Sequence, residues 1–244
     1  MDDREKIERV LLGDKRQYSD FISFFYHHGP YELHCGYQDC NNFSYGTNME
    51  AYHRNDLYIK ADDADYFKQA IRNRPDLTHV FLLSSDDNME LSEYEGTWLI
   101  SKRKQFTKSE EVSADPTDFC LLDDSHRQIV EKSESDRSRE YYSMAMEYED
   151  CCYGLIRNNE LLSFIFVPEV TKPTELANIS WIYTESVYRK MGYASKLLQN
   201  VSNLYIRQGY LVAYQCAEDN VASAKTALKS GMSREADIFC FERI

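Results

Sequence analysis

The sequence lacks the long apolar runs and the nucleotide-binding loops that mark several large classes of protein. No stretch approaches the roughly 18 consecutive apolar residues that a membrane-spanning helix needs. The segment Met1–Arg9 is dominated by charge, unlike the apolar core of a signal peptide. Neither a Gly-x-x-x-x-Gly-Lys-Ser/Thr loop nor a Gly-x-Gly-x-x-Gly fingerprint occurs, so nothing supports nucleotide hydrolysis or dinucleotide redox chemistry. We expect a protein without membrane partners.

Positive charge is also scarce. The chain has 28 Lys and Arg against 41 Asp and Glu, for a formal net charge of −13 and a pI near 4.9. This balance argues against a broad basic surface for nucleic acid. It is compatible with a cationic amine as substrate, because an acidic field concentrates cations.

The cysteines and histidines lack the spacing of a disulfide framework or of a metal site. Seven cysteines, an odd number, are scattered along the chain, which fits a reducing compartment and a cytoplasmic location. A group near the N-terminus invites a zinc interpretation but has no paired Cys-x-x-Cys or His-x-x-x-His geometry, so no metal is expected. Its members are His27, His28, His34, Cys35 and Cys40.

What is present predicts a globular chain with two domains. The 43% hydrophobic and 14% aromatic content of the 244 residues is ample for a folded core. The segment Lys104–Thr117 is polar, contains Pro116 and has no apolar periodicity, so it is interpreted as a linker. We place an N-terminal α/β domain at residues 1–116 and a second domain at residues 117–244.

Apolar patterning predicts strands and helices along both domains. Asn158 and Asn159 tolerate positive φ and predict the turn of a hairpin. In the second domain the predicted order is strand 118–122, a helix through 129, helix 136–146, strands 153–156, 161–167 and 179–183, helix 193–207, strand 210–216, helix 221–229 and strand 238–241. In the first domain, helices are predicted near 5–12 and 64–72 and strands at 57–60, 78–83 and 97–101, without a clear internal repeat.

The segment Ile179–Leu198 carries the strongest functional signal. A β-favouring run is followed by a short polar stretch with Arg189, Lys190 and Gly192, and a helix opens at Tyr193. The N–H groups at a helix start lack intrahelical partners, and the helix macrodipole favours negative charge there. Glycine allows the backbone to approach a ligand closely. The segment therefore predicts a phosphate site, and a diphosphate fits it best.

The order Arg-x-x-Gly-x-Ala, from Arg189 to Ala194, with a strand before it and a helix after it, resembles the signature of the GNAT superfamily of acetyl-CoA-dependent N-acyltransferases. The resemblance covers about residues 117–244. It implies the GNAT fold, an α/β (α+β) architecture with a central mixed, mostly antiparallel sheet flanked by helices. The N-terminal domain has the size of a degenerate GNAT-like half. It shows no such motif, and we assign it no cofactor.

The resemblance implies acetyl-CoA as cosubstrate and a set of residues that bind it. The backbones of Ile182, Tyr183 and Thr184 would pair with the pantetheine arm like an added strand. The pyrophosphate would be bound by backbone amides of the loop and the helix start, namely those of Arg189, Lys190, Met191, Gly192, Tyr193 and Ala194.

A second expected anchor begins at Asn220. The stretch from there to Met232 resembles the family's Asn-x-x-Ser/Ala-x-x-x-Tyr-x-x-x-Gly-Phe pattern, and Asn220 and Ser223 occupy positions that commonly contact the cofactor. Alternatively, Asn220 caps a helix and Gly231 ends it. The family tyrosine, often proposed as the acid that protonates the leaving thiolate, corresponds here to Ala227, which cannot donate a proton.

The sequence defines the catalytic groups less well. Glu185, at the end of the cofactor strand, is the best candidate for a general base, and a solvated loop carboxylate is the alternative. Tyr214 is a candidate for the missing acid, with Tyr183, Ser223 or solvent as alternatives. Further residues that could rim or wall the acceptor site are Glu147, Glu149, Asp150 and Trp181.

These features predict an acyltransferase that moves an acetyl group from acetyl-CoA to a primary amine of a small molecule or peptide by direct attack. The alternative, motivated by Ala227, is a non-catalytic acyl-CoA-binding or regulatory module of the same fold. A longer acyl donor remains open. A covalent route through Cys216 has no support in the sequence. The oligomeric state is also open, a homodimer included.

Overall fold

A computed structural model describes residues 1–27, 34–49, 54–72, 74–85, 91–94, 96–113, 119–148, 151–171 and 173–244. Their helices are α1 (Asp3–Gly13), α2 (Ser19–His27), α3 (Ala64–Arg72), α4 (Arg127–Val130), α5 (Asp136–Tyr148), α6 (Tyr193–Arg207) and α7 (Val221–Lys229). Their strands are β1 (His34–Asp39), β2 (Asn42–Met49), β3 (Arg54–Ala61), β4 (His79–Leu83), β5 (Trp98–Lys108), β6 (Phe119–Leu121), β7 (Cys151–Arg157), β8 (Glu160–Val167), β9 (Glu169–Thr171), β10 (Leu176–Ile179), β11 (Trp181–Thr184), β12 (Leu211–Ala217) and β13 (Ser233–Arg243).

The chain passes between two compact units more than once. The first unit comprises Met1–Gln105, Cys216–Asp219 and Glu235–Ile244, and the second comprises Phe106–Gln215 and Asn220–Arg234. Because β5, β12 and β13 each cross from one unit to the other along their length, the units are not simple consecutive halves. The boundary predicted near residue 116 falls outside the described residues and stays a prediction.

The first unit is a mixed sheet in the order β1-β2-β3-β4-β13-β5. Strands β1, β2 and β3 form an antiparallel meander, and α3 connects β3 to the parallel strand β4. Phe67 and Ile71, one helical turn apart on α3, are buried in a cluster with sheet residues such as Leu57 and Leu82. Strand β13 pairs antiparallel with β4, so the last strand along the chain completes the first unit.

The second unit has two sheets that share one interrupted hairpin. The segment of β8 and β9 breaks at Pro168, and the segment of β10 and β11 breaks at Ser180. On one side of these breaks β9 pairs with β10, and β10 pairs in parallel with β12, which lies beside the end of β5. On the other side β8 and β11 belong to an antiparallel sheet in the order β11-β8-β7-β6.

Helices cover both faces of the antiparallel sheet. Successive side chains of a strand point to opposite faces, so each face offers side chains to a helix. Cys152 of β7 is buried in a cluster with Tyr142 and Ala145 of α5. The next residue, Tyr153, faces the opposite way, and its hydroxyl lies 3.0 Å from the hydroxyl of Tyr205 on α6. The sheet is therefore sandwiched between α5 and α6.

Two parts of the chain have a similar order of elements. The first part runs α1, α2, β1, β2, β3, α3, β4 and β5, and the second runs β6, α4, α5, β7, β8 with β9, β10 with β11, α6, β12, α7 and β13. Among the described elements, β6 and α7 have no counterpart in the first part. In both, a helix joins two parallel strands, β3 to β4 and β10 to β12. The first unit thus has the topology of a reduced copy of the second, although the sequence shows no repeat.

The linker predicted at Lys104–Thr117 is wrong over its first residues, because β5 continues through Lys108. Gln105, Thr107 and Lys108 are polar and nevertheless buried. The Lys108 ammonium donates to Asn203 Oδ1 at 2.8 Å and to the Ser230 carbonyl at 3.0 Å. Burial lowers the pKa of Lys108. Polar side chains can be buried in a strand when they are hydrogen-bonded. In β5 they interrupt the apolar alternation by which strands were predicted, so the end of this strand was taken for a linker.

Candidate functional site

Two parallel strands of the second unit part at the middle of the sheet. Strands β10 and β12 are paired from Leu176 opposite Leu211 to Ile179 opposite Tyr214. After Ser180 the chain leaves this pairing, and β11 pairs instead with β8, with Trp181 opposite Phe166. Because β11 is the edge strand of its own sheet, one row of its backbone groups is not used by β8. An extended ligand could pair with that row.

The loop after β11 leads into the start of α6. Residues Ser186–Tyr188 form a 3-10 turn, and the backbone is left-handed at Lys190, with φ of 65°, and at Gly192, with φ of 82°. The first bond that closes α6 runs from the Lys196 N–H to the Gly192 carbonyl at 3.0 Å. The N–H groups of the preceding helical residues lie outside that ladder and can bind an anion; they belong to Tyr193, Ala194 and Ser195.

The side chain of Arg189 is folded back onto the end of β11. Its Nε donates to the Thr184 carbonyl at 3.1 Å, its Nη2 donates to the Tyr183 hydroxyl at 2.8 Å, and its guanidinium lies over the Tyr183 ring at 5.3 Å from the centroid. The Tyr183 hydroxyl in turn donates to Glu134 Oε1 at 2.8 Å. Burial first, and then this bond to Glu134, raise the pKa of Tyr183, so the hydroxyl stays protonated near neutral pH.

Glu185, the candidate base, faces the segment between α4 and α5. Its carboxylate accepts the Ser133 hydroxyl and, at 3.2 Å, the Glu134 N–H. The position of Glu185 directly after β11 is as expected, and its role in proton transfer stays a prediction.

Tyr214, the candidate acid, lies on β12 at the last paired position before the strands part. Its side chain is only 4% exposed, and its ring centroid lies 6.5 Å from that of Phe106. Tyr214 therefore lies where β10 and β12 separate, and its role as an acid stays a prediction.

Asn220 and Ser223 lie at the start of α7. The Asn220 Oδ1 accepts the Ser223 N–H at 3.1 Å and so caps the helix, as in the alternative interpretation. Gly231, with φ of 86°, follows the helix end. Ala227, at the position of the family tyrosine, is fully buried. A cofactor contact of Asn220 and Ser223 remains a prediction.

The structure brings together residues that the sequence did not single out. Three polar residues contact the end of β11, namely Ser133, Glu134 and Ser186. Each lies in a short segment without periodicity, so no sequence signal marks them. Trp181 is held by its indole N–H, which donates to Ser138 Oγ at 3.1 Å. Glu147 is exposed, and Glu149 and Asp150 lie outside the described residues.

Two further expectations concern absences. Among the described residues, no group of three His, Cys, Asp or Glu side chains is placed to hold a metal ion; His28 and the side chains of His27 and His34 are not among those described. No described helix has both the length and the apolar character to cross a bilayer.

Comparison with known proteins finds similarity in sequence over one segment and in fold over the whole chain. Residues 118–232 match the model of the Acetyltransferase (GNAT) family. A GNAT-family acetyltransferase from Colwellia psychrerythraea is similar with a TM-score of 0.56 and 14% identity over 100% of this chain and 98% of that one. A GCN5-related N-acetyltransferase-like protein from Streptococcus suis is similar with a TM-score of 0.56 and 14% identity over 100% of both chains.

A tandem GNAT protein from the clavulanic acid biosynthesis pathway has a TM-score of 0.50 and 12% identity over 99% of this chain and 96% of that one. At these identities the structural likenesses concern the fold. No curated protein matches the sequence.

The parted parallel strands, followed by a glycine loop at a helix start, define an α/β acyltransferase fold. Residues 118–232 are a domain of the GNAT acetyltransferase family, as the motif from Arg189 to Ala194 indicated. Acyl transfer from acetyl-CoA is the general activity of this family.

Proposed function

We propose that the protein is an N-acetyltransferase that moves the acetyl group of acetyl-CoA onto a primary amine by direct attack. The observation that carries this proposal is the parting of β10 and β12 at Ile179 and Tyr214, beside the open start of α6. The parted strands offer a slot for an extended arm, and the helix start offers N–H donors for a diphosphate.

In this proposal the backbone of the second unit does most of the binding. The backbones of Ile182, Tyr183 and Thr184 pair with the pantetheine arm along the side of β11 away from β8, where the Thr184 carbonyl already accepts from Arg189. The amides from Arg189 to Ala194 bind the pyrophosphate, with Gly192 allowing the close approach and Lys190 adding positive charge. Asn220 and Ser223, at the start of α7, would form a second anchor.

The amine must lose a proton to attack, and Glu185 is the group we assign to accept it. The nitrogen bonds to the acetyl carbon, the carbon–sulfur bond breaks, and the thiolate of coenzyme A leaves. Tyr214 is the residue we assign to protonate that thiolate. No covalent bond to the enzyme forms on this route.

The acceptor we propose is a primary amine of a small molecule or a peptide. The net charge of −13 favours the approach of a cationic amine. All seven cysteines are free thiols, which fits the reducing cytoplasm expected from the sequence.

The test is binding of acetyl-CoA by calorimetry, followed on the same sample by a panel of amines with release of free thiol as readout. Binding with amine-dependent thiol release is the expected result. Absence of binding would overturn the proposal.

A second candidate function is a non-catalytic acyl-CoA-binding module, and one observation favours it. Ala227 stands where the family acid is expected, and it is fully buried. The same experiment separates the two functions, because this module would bind acetyl-CoA without releasing thiol for any amine.

A further inference from the structure

The segment between α4 and α5 is fastened to the end of β11 by side chains from both sides. Glu185 accepts from the Ser133 hydroxyl and the Glu134 N–H, as described above. The Ser133 hydroxyl also accepts the Ser135 N–H at 3.2 Å, and Ser135 is buried. We name the residues Ser133–Ser135 the fastening segment. It reaches the strand and the loop that the proposed function assigns to acetyl-CoA.

Within this segment the carboxylate of Glu134 gathers several donors from that strand and loop. Oε1 accepts the Tyr183 hydroxyl at 2.8 Å and the Ser186 N–H, and Oε2 accepts the Ser186 hydroxyl at 2.8 Å. The Arg189 guanidinium lies 3.6 Å from Oε1. Hydrogen bonds from Tyr183 first, and then from Ser186, hold the pKa of the Glu134 carboxyl below its usual value. The carboxylate therefore stays ionised at neutral pH.

The Arg189 side chain is held by the same group of residues. Its guanidinium contacts the Thr184 carbonyl, the Tyr183 hydroxyl and Glu134. Its side chain is thus engaged with the end of β11, and its backbone N–H donates to the Ser186 carbonyl at 3.3 Å. Arg189 would therefore contribute to a diphosphate site through the path of the loop that it holds.

We propose that Glu134 is a positioning residue for the cofactor loop. It fixes Arg189 and the N–H of Ser186, so that the loop from Ser186 to Gly192 is shaped before coenzyme A binds. This inference rests on the proposed function.

Stability alone does not account for this arrangement. The Glu134 and Arg189 side chains are 42% and 53% exposed, and ion pairs at such exposure contribute little to the free energy of unfolding. Their effect should fall on the geometry of the loop, where an ordered site binds more tightly because less ordering is left to the ligand.

The experiment measures the affinity for coenzyme A by calorimetry for the wild type, Glu134→Ala, Glu134→Gln and the control Glu131→Ala. Glu131 is an exposed carboxylate of the same connection. We expect Glu134→Ala to weaken binding about tenfold and the control to change it less than about twofold. Glu134→Gln should lie between them, because an amide oxygen still accepts from Tyr183 and Ser186 but carries no charge for Arg189. Melting temperatures should stay close to that of the wild type.

A double-mutant cycle with Arg189→Ala tests whether Glu134 acts through the loop. If it does, Glu134→Ala should cost little further affinity once Arg189 is removed, so the two effects are not additive. Unchanged affinity in Glu134→Ala, or additive losses in the cycle, would overturn the inference alone. If the wild type binds no coenzyme A, the proposed function fails and this inference falls with it.

Discussion

Gly192 and Gly209 are both left-handed, with φ of 82° and 90°, but only Gly192 lies on the proposed cofactor loop. A Cβ added at either glycine would meet no described heavy atom within 4 Å. The Cβ of a substituted residue therefore costs only backbone strain at either position, about 1–2 kcal/mol. The two glycines form a matched pair for testing the loop.

We predict that Gly192→Trp weakens binding of coenzyme A at least about tenfold, equivalent to about 1.4 kcal/mol, because the indole blocks close approach of the pyrophosphate. Gly209→Trp should bind coenzyme A like the wild type. Calorimetry on both variants, with melting curves to compare their stability, checks this. Equal affinity in the two variants would remove the loop from the site.

Tyr214 is the residue to test as the acid. We predict that Tyr214→Phe lowers kcat with a responsive amine by about 100-fold, within the range for general acid catalysis, while the affinity for coenzyme A is unchanged. Tyr210→Phe is the control, because Tyr210 packs edge-on against Tyr205 and precedes β12. A Tyr214→Phe rate equal to that of the wild type at saturating substrates would exclude the hydroxyl from catalysis.

Asn220 caps α7 and is also a proposed anchor for the cofactor. We predict that Asn220→Ala lowers the free energy of unfolding by about 1 kcal/mol, because the Ser223 N–H loses its acceptor. A fall in coenzyme A affinity beyond that of the neighbouring control Asp219→Ala would show that Asn220 also acts as an anchor. Denaturant unfolding and calorimetry measure the two effects. Equal stability of both variants would contradict the capping role.

Elements with a strong local pattern could be predicted from the sequence. The helix opening at Tyr193 and the turn at Asn158 and Asn159 are present as expected, because helix periodicity and positive φ are properties of short segments. The end of β5 was missed because its buried Lys108 finds partners on α6 and beyond α7, which are distant in sequence.

The residues of the candidate site also fall into those that the sequence could predict and those that it could not. The loop with Gly192 could be identified because its chemistry is contiguous in the sequence. Glu134 could not, because it meets Tyr183 and Ser186 only once the sheet has formed. Contacts between such separated segments leave no periodic trace in either one.

At the scale of the whole molecule, the first unit follows most of the element order of the second but has a different helix start. Helix α3 begins directly after Asp62 and Asp63. The Asp63 Oδ1 accepts the Asp65 N–H at 2.8 Å, and Asp62 accepts the Ser85 N–H at 2.7 Å while pairing with the Lys60 ammonium. Carboxylates of the chain thus stand where an anion would bind, and they would repel a diphosphate.

We therefore predict one coenzyme A per chain. The stoichiometry of a calorimetric titration checks this, and a second site of comparable affinity would contradict the assignment of the cofactor to the second unit alone. Asp63→Asn should leave the stoichiometry and the affinity unchanged.

On the ribosome, residues 79–83 are made long before residues 238–242, with which they pair. At about 5–20 residues per second the interval is on the order of ten seconds. Throughout that time the edge of β4 that β13 will cover has no partner from β13, and an unpaired strand edge invites association with other chains. The sheet of the first unit can therefore be completed only after β13 has been synthesised. This interval is when chaperones would be needed.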